Sequence, residues 1–409
     1  MSLNKIFTFL LFVVLMAGCG SSGGGSSTTP ANSGGGGVNG SPVGGIASSN
    51  VLAITVNDPS YPNKPTVSVT VCAPGSTTNC QTINNILLDT GSYGLRIFKQ
   101  TPLNVSLPQL TVGSSPIAEC VAYMDGSGDW GPVQIADVVL GGETASNVPV
   151  QIIDATYFAN SIPAACEPPN VTSLDQSPSS AGFNGILGVG LFASDCGPGC
   201  NSANNGIYYT CNGSSCVGAA VSPTSQVQNP VALLTQDNNG VIVQLPSVPL
   251  GGVQSASGQL ILGIGTRSNN SPSGATAYPA DDNGEFITVF SGATLSNSFI
   301  DSGSNGLFFD APASQLPVCS GWYCPPSTLS LSATTEGYNG SPIGSVSFQI
   351  GNTTNLFNNA SNSVFAELGG SAPSGSGFDW GLPFFFGRPV FVGIDGTNSI
   401  LGSGPYWAY

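Results

Sequence analysis

Two short segments of this 409-residue chain copy one another, and no other feature limits the fold as strongly. Residues 86–98 read ILLDTGSYGLRIF and residues 298–309 read SFIDSGSNGLFF. In the frame Asp89-Thr90-Gly91-Ser92-Tyr93-Gly94-Leu95 against Asp301-Ser302-Gly303-Ser304-Asn305-Gly306-Leu307, five of seven positions are identical and a sixth exchanges Thr for Ser. The copies lie 301 − 89 = 212 residues apart. An offset of about half the chain predicts a duplicated body, each half supplying one element of a shared site. One Asp-x-Gly alone would be an ordinary turn, with the acid bonding backbone and glycine supplying positive φ.

The rest of the chain reads as β. Runs such as Val51–Val56, Thr66–Val71, Val133–Leu140, Val148–Ile153, Gln259–Leu262 and Val346–Ile350 are rich in β-branched residues and separated by Gly, Pro, Asn and Ser clusters. The one helix the pattern suggests is Pro230–Gln236, with Asn229 as cap and proline in the first turn. An all-β body of about 360 residues exceeds a single sandwich.

Composition narrows the chemistry. Lys and Arg total 6 against 21 acids, a formal charge of −15, so nucleic acid is a poor partner. The chain has no histidine, which removes Ser-His-Asp and Cys-His nucleophile pairs and the usual imidazole ligands for zinc. Acid–base chemistry therefore falls to carboxylates. Two carboxylates about 3 Å apart cannot both ionise, so they share one proton and titrate as a unit. The ionised partner can take a proton from water while the protonated one donates to a carbonyl oxygen. No metal, nucleotide or other cofactor is needed.

An apolar strand running into D-[TS]-G-S, twice, resembles the active-site loops of the pepsin-like aspartic peptidases. Further segments match in order: Asn184–Leu191 (NGILGVGL) and Trp380–Asp395 (WGLPFFFGRPVFVGID) resemble the hydrophobic-hydrophobic-Gly strands of the two lobes. Tyr123 to Gly142 resembles the flap hairpin and its return strand, and Gly258–Gly265 (GQLILGIG) sits where that family passes into its second lobe. The resemblance covers roughly residues 50–409. It implies an all-β, bilobal fold of duplicated double-ψ lobes with a cleft between them, and a catalytic dyad of Asp89 and Asp301. It also implies that Thr90 and Ser302 brace the two loops against each other, that Gly91 and Gly303 bring backbone N–H groups to the carboxylates, and that Ser92 and Ser304 bond the outer oxygen of their own aspartate.

Several residues depart from that pattern. Asp125, not Tyr, directly precedes Gly126-Ser127-Gly128, and Tyr123 stands two places earlier, one strand repeat away. Arg96 replaces the Trp that often follows the first loop, removing the usual indole bond to the flap tyrosine. Trp130 is the candidate for that aromatic role, or for an exposed hairpin-tip contact with substrate or membrane. The segment from linker to first strand lacks the Lys/Arg-rich character of the family's prosegments.

Cysteine usage fits an exported protein. Ten cysteines besides Cys19 favour up to five disulfides. Proximity suggests Cys72–Cys80 and Cys319–Cys324, with Cys120–Cys166 as the long-range pair. Cys196, Cys200, Cys211 and Cys216 read as a disulfide knot of open connectivity rather than a four-cysteine metal site. They lie in residues 192–222, an insertion that reads as a passive surface excursion, a lid or a docking surface.

Residues 1–18 have the form of a signal peptide, with Lys5 before the apolar run Ile6 to Ala17. The LMAGC end resembles a bacterial lipobox, which would leave lipid on Cys19 and a mature charge of 5 − 21 = −16. Residues 19–49 are a Gly/Ser-rich tether, followed by an N-terminal lobe over 50–240 and a C-terminal lobe over 241–409. No Asp follows Cys19, which by resemblance to sorted lipoproteins points to the outer membrane. The expected protein is a monomeric, lipid-anchored endopeptidase of the bacterial cell envelope acting on peptide or protein. The alternatives are an inactive pepsin-like module binding peptide or glycan there, and a structural lipoprotein.

Overall fold

The computed structural model describes residues 50–409. The leader, Cys19 and the tether lie outside them. The body is all-β, and its α-helices are short segments such as Pro178–Ala181 and Thr353–Phe357. Among the described residues no helix is long and apolar enough to cross a membrane.

The expected strands form, most of them longer than their apolar runs: Thr66–Cys72, Ser127–Leu140, Glu143–Ile153, Ala256–Leu262 and Ile343–Ile350. In Val51–Val56 and Thr66–Cys72 buried and less buried residues alternate, as a strand with one face on a core requires. The expected helix at Pro230–Gln236 is instead a short 3₁₀ turn, Pro230–Leu233, with the Asn229 side chain accepting from the Val231 N–H. Only one turn of chain is available there before Leu234 returns to extended backbone.

The two repeat segments build the same knot. In the first lobe, strand Cys80–Asp89 runs into the Asp89 turn and Tyr93–Phe98 runs out, while Gly185–Val189 passes between them. That middle strand is parallel to the incoming one, with Leu187 opposite Leu88, and antiparallel to the outgoing one, with Leu187 opposite Leu95. In the second lobe, Ala293–Ile300 and Leu307–Phe309 flank Asp379–Trp380 in the same way, with Trp380 opposite both Ile300 and Leu307. Each outgoing strand has a further parallel neighbour, Glu143–Ile153 or Gly369–Ser371. These are the duplicated double-ψ lobes of the pepsin-like fold.

Close approach explains the glycines of both middle strands. A Cβ on Gly188 would lie 2.5 Å from the Tyr93 nitrogen, and one on Gly381 would lie 2.0 Å from the Gly306 oxygen. A side chain at either point would push the turn away from the strand that supports it.

An antiparallel sheet joins the halves. Val51–Val56 pairs with Ala256–Leu262, which pairs with Gly240–Gln244, then Pro389–Gly393, Tyr406–Ala408 and Ala277–Pro279. Asn63 adds a polar tie, donating to the carbonyls of Asn305 and Phe365 while its own oxygen accepts from the Phe365 N–H. The main apolar core runs from Leu52 through Leu88 and Leu187 to Ile300, Phe378 and Trp407, so one continuous packing supports both aspartate turns.

The ten cysteines form five disulfides. Cys72–Cys80, Cys120–Cys166 and Cys319–Cys324 pair as expected, and the insertion resolves into Cys196–Cys200 and Cys211–Cys216. The last closes a hairpin of Tyr208–Asn212 and Ser215–Gly218.

Candidate active site

The strand ends bring Asp89 and Asp301 face to face. The Gly91 N–H donates to Asp89 Oδ1 at 2.8 Å and to Asp301 Oδ1 at 3.2 Å, so both inner oxygens lie within reach of one nitrogen. The Gly303 N–H donates to Asp301 Oδ1 at 2.7 Å. The outer oxygens are held by the serines of their own loops: Ser92 Oγ donates to Asp89 Oδ2, and Ser304 Oγ to Asp301 Oδ2 at 2.8 Å.

Behind the carboxyls the loops are cross-braced. The Thr90 N–H donates to Ser302 Oγ at 3.1 Å and the Ser302 N–H to Thr90 Oγ1 at 2.9 Å. Each hydroxyl then donates to the opposite incoming strand, Thr90 to the Ile300 carbonyl and Ser302 to the Leu88 carbonyl. All four bonds are buried, where an unmade bond is costly, so the spacing of the loops is set by the fold.

Asp89 is buried and Asp301 partly exposed. Burial holds the Asp301 carboxyl well above the usual range, and the negative charges of Asp89 and Asp379 push it further; the Ser304 bond opposes them. This is the pattern of two carboxyls sharing a proton, with the proton on Asp301.

Glycine at position 91 follows from the contact between loops. A Cβ there would stand 2.7 Å from Asp301 Cγ. Gly91→Ala is therefore expected to spread the carboxyls and lower any dyad-dependent activity by about 10²-fold, read as kcat/KM beside an unchanged melting temperature. Wild-type activity in this variant would mean that the two carboxyls do not act together.

The flap is the hairpin of Ser115–Ala122 and Ser127–Leu140. Its turn closes with the Gly126 N–H donating to the Tyr123 carbonyl, Gly126 at φ 83°. Asp125 caps that turn, its Oδ1 accepting from the Ser127 N–H and hydroxyl. Tyr123 packs on the cluster of Leu87, Phe98 and Ile186, and its hydroxyl donates to Asp129 Oδ2 at 2.8 Å. Arg96 lies behind this pair, donating to the Tyr93 carbonyl, Glu119 and Asp195. The flap tyrosine is thus oriented by a carboxyl backed by a guanidinium, where the family pattern has an indole.

Trp130 is a correction. Its ring is fully buried with Cys120, Cys166 and Tyr209, and its indole N–H donates to the Tyr157 carbonyl. It anchors the flap from behind and meets neither cleft nor solvent.

The insertion is more than a surface excursion. Its strand Tyr208–Asn212 adds to the flap, with Tyr208 opposite Glu119, while Ser173–Leu174 pairs with the flap's other strand. The Tyr208 hydroxyl donates to Asp195, which also holds Arg96.

Tyr61 escapes sequence reasoning. It comes from the turn between the first two strands and packs on the same apolar cluster as Tyr123, and burial first, then the charges of Asp125, Asp301, Asp175 and Asp89, raise the pKa of its hydroxyl. No local motif marks it. Basic side chains are engaged elsewhere: Lys64 with Asp58, Lys99 with Asp154, Arg267 with Glu143 and Asp237, and Arg388 over the Phe384 ring.

A protein-family profile described as "Protein of unknown function (DUF3443)" matches residues 46–409. No curated protein matches the sequence. Among solved structures, the crystal structure of aspartic proteinase from Irpex lacteus is similar with a TM-score of 0.47 and 14% identity, over 88% of this chain and 96% of that one.

Proposed function

The chain belongs to the DUF3443 family, whose description assigns no function, and on that premise we propose its activity from the site itself: an aspartic endopeptidase with Asp89 and Asp301 as its dyad. The observation that carries this is the single Gly91 N–H within reach of both inner carboxyl oxygens. In this reading Asp89 takes a proton from a water between the carboxyls as its oxygen attacks the scissile carbonyl. Asp301 gives its proton to the carbonyl oxygen. The resulting diol returns a proton to Asp301 as its C–O double bond re-forms, Asp89 protonates the departing nitrogen, and the C–N bond breaks. Both carboxyls end as they began.

The setting we infer is the bacterial cell envelope, with lipid on Cys19 and the Gly/Ser-rich segment as tether. The mature protein, oxidised to its five disulfides, is expected to cut denatured protein between about pH 3 and 5, and statine-type transition-state analogues are expected to block it. Absence of cleavage across that range sinks the peptidase reading, and tight binding of the analogue without cleavage selects the inactive binding module.

A further inference from the structure

The symmetry of the two ψ motifs breaks at one layer. Leu187 and Trp380 occupy matching places beside the residues that precede the aspartates. One residue earlier, Ile186 lies between Leu87 and Arg96, whereas Asp379 lies between Phe299 and Phe308. Each lobe therefore carries one ionisable side chain at this depth, on different strands. Arg96 is paired with Glu119 and Asp195. Asp379 is 7% exposed, its Oδ1 is buried without a hydrogen-bond partner, and among the described residues no basic side chain bridges to it. Ile186 shows that the motif closes around an apolar residue here, so the fold itself does not call for an acid.

What Asp379 meets is the site. Its strand runs on to Leu382, whose N–H donates to the Ser304 carbonyl at 2.7 Å, and the Ser304 hydroxyl, which also acts on Asp379, donates to Asp301 Oδ2 at 2.8 Å. Its neighbours on the flanking strands, Phe299 and Phe308, and along its own, Phe378 and Trp380, do not titrate. The ionisable group that acts on it is Asp89, and its own charge acts in turn on Asp301.

We propose that Asp379 is a third carboxyl of the site, a positioning residue that acts on Asp301 through Ser304 and sets the upper pH at which the dyad keeps its shared proton. Its effect on catalysis rests on the dyad reading given above. Burial, and after it the charge of Asp89, holds Asp379 protonated well above the usual range. In that form it leaves the Ser304 hydroxyl to Asp301. Once ionised, it sets a second negative charge beside Asp301, and like charge opposes loss of the remaining proton. The dyad therefore holds its acid to a higher pH than two carboxyls alone would.

Asp379→Asn keeps the shape without the charge, and Asp379→Ile installs the residue of the matching layer. In the mature protein, both variants are expected to lower the pH at which kcat/KM falls on its alkaline side by about one unit. NMR titration of the Asp301 carboxyl carbon is expected to move the same way. Cleavage that persists with an unmoved alkaline limb, or that drops uniformly at every pH, overturns the proposal, because a merely structural role would do either. The carboxyl titration does not depend on turnover. In a protein that folds but does not cleave, a shifted Asp301 titration upholds the inference while the peptidase reading fails, and an unshifted one rejects both.

Discussion

Asp89→Asn and Asp301→Asn are each expected to lower proteolysis by about 10³-fold or more while the fold survives. Asparagine has nearly the shape of aspartate, and its oxygen can accept the same Gly91 or Gly303 N–H bond. The Thr90 and Ser302 bonds behind the carboxyls use backbone and hydroxyl groups only, so neither variant touches them. What disappears differs between the two. In the proposed mechanism Asp301→Asn removes the acid that protonates the carbonyl oxygen, and Asp89→Asn removes the base that activates water. Each also removes one of two carboxyls that compete for a single proton at a close-packed site, so melting temperatures are expected to hold or rise. Activity on an unfolded protein, measured beside thermal melting, checks both halves. Full proteolysis in both variants excludes this dyad.

Stability is expected to fall as pH rises from about 4 to about 8. Burial lifts Asp129 from 3.8 to about 6, against the opposing pull of Arg96 and Tyr123. Glu285 rises from 4.5 to about 7 through burial and the nearby Asp281, while Glu119, Asp301 and Asp379 are raised well above their usual values, chiefly by burial. For such groups the folded state holds protons that the unfolded chain has lost. Their contribution is complete below the unfolded pKa near 4 and is lost as pH climbs through the raised folded values, about 6 for Asp129 and about 7 for Glu285.

Asp129 has no exposed surface, and a shift of roughly two pH units corresponds to about 3 kcal/mol. Asp58 and Asp154 pull the other way, since Lys64 and Lys99 lower them despite partial burial. Those two pairs are part-exposed and count for less. The melting temperature is therefore expected to be higher near pH 4 than near pH 8 by about 5 °C or more, and Asp129→Asn to flatten part of the slope. Calorimetry across that range tests it; a melting temperature that climbs toward pH 8 refutes the account.

Local pattern carried the strands and the two aspartate turns, because alternation, β-branching and the D-[TS]-G-S frame are written within a few residues of each other. The same holds for Cys72–Cys80, which face one another across a hairpin. Beyond the Cys120–Cys166 pair and the meeting of the two aspartate loops, long-range placement was not legible. Trp130 looks exposed in a hairpin segment, yet Tyr209 and the Cys120–Cys166 bridge arrive from elsewhere to enclose it. Tyr61 reaches the site from a turn without a motif. Asp379, in the run FDWG, carries no mark in the sequence, and only the ψ register shows it between Phe299 and Phe308.

The flap hairpin has partners on both edges and a disulfide that ties its Cys120 to Cys166 outside it. Such a hairpin behaves as a lintel over the aspartates. The chain entropy that a loose lid loses each time it closes over a ligand is here surrendered once, when the protein folds and oxidises. The height of the opening is then a property of the resting molecule, and a visiting chain must fit under it as found.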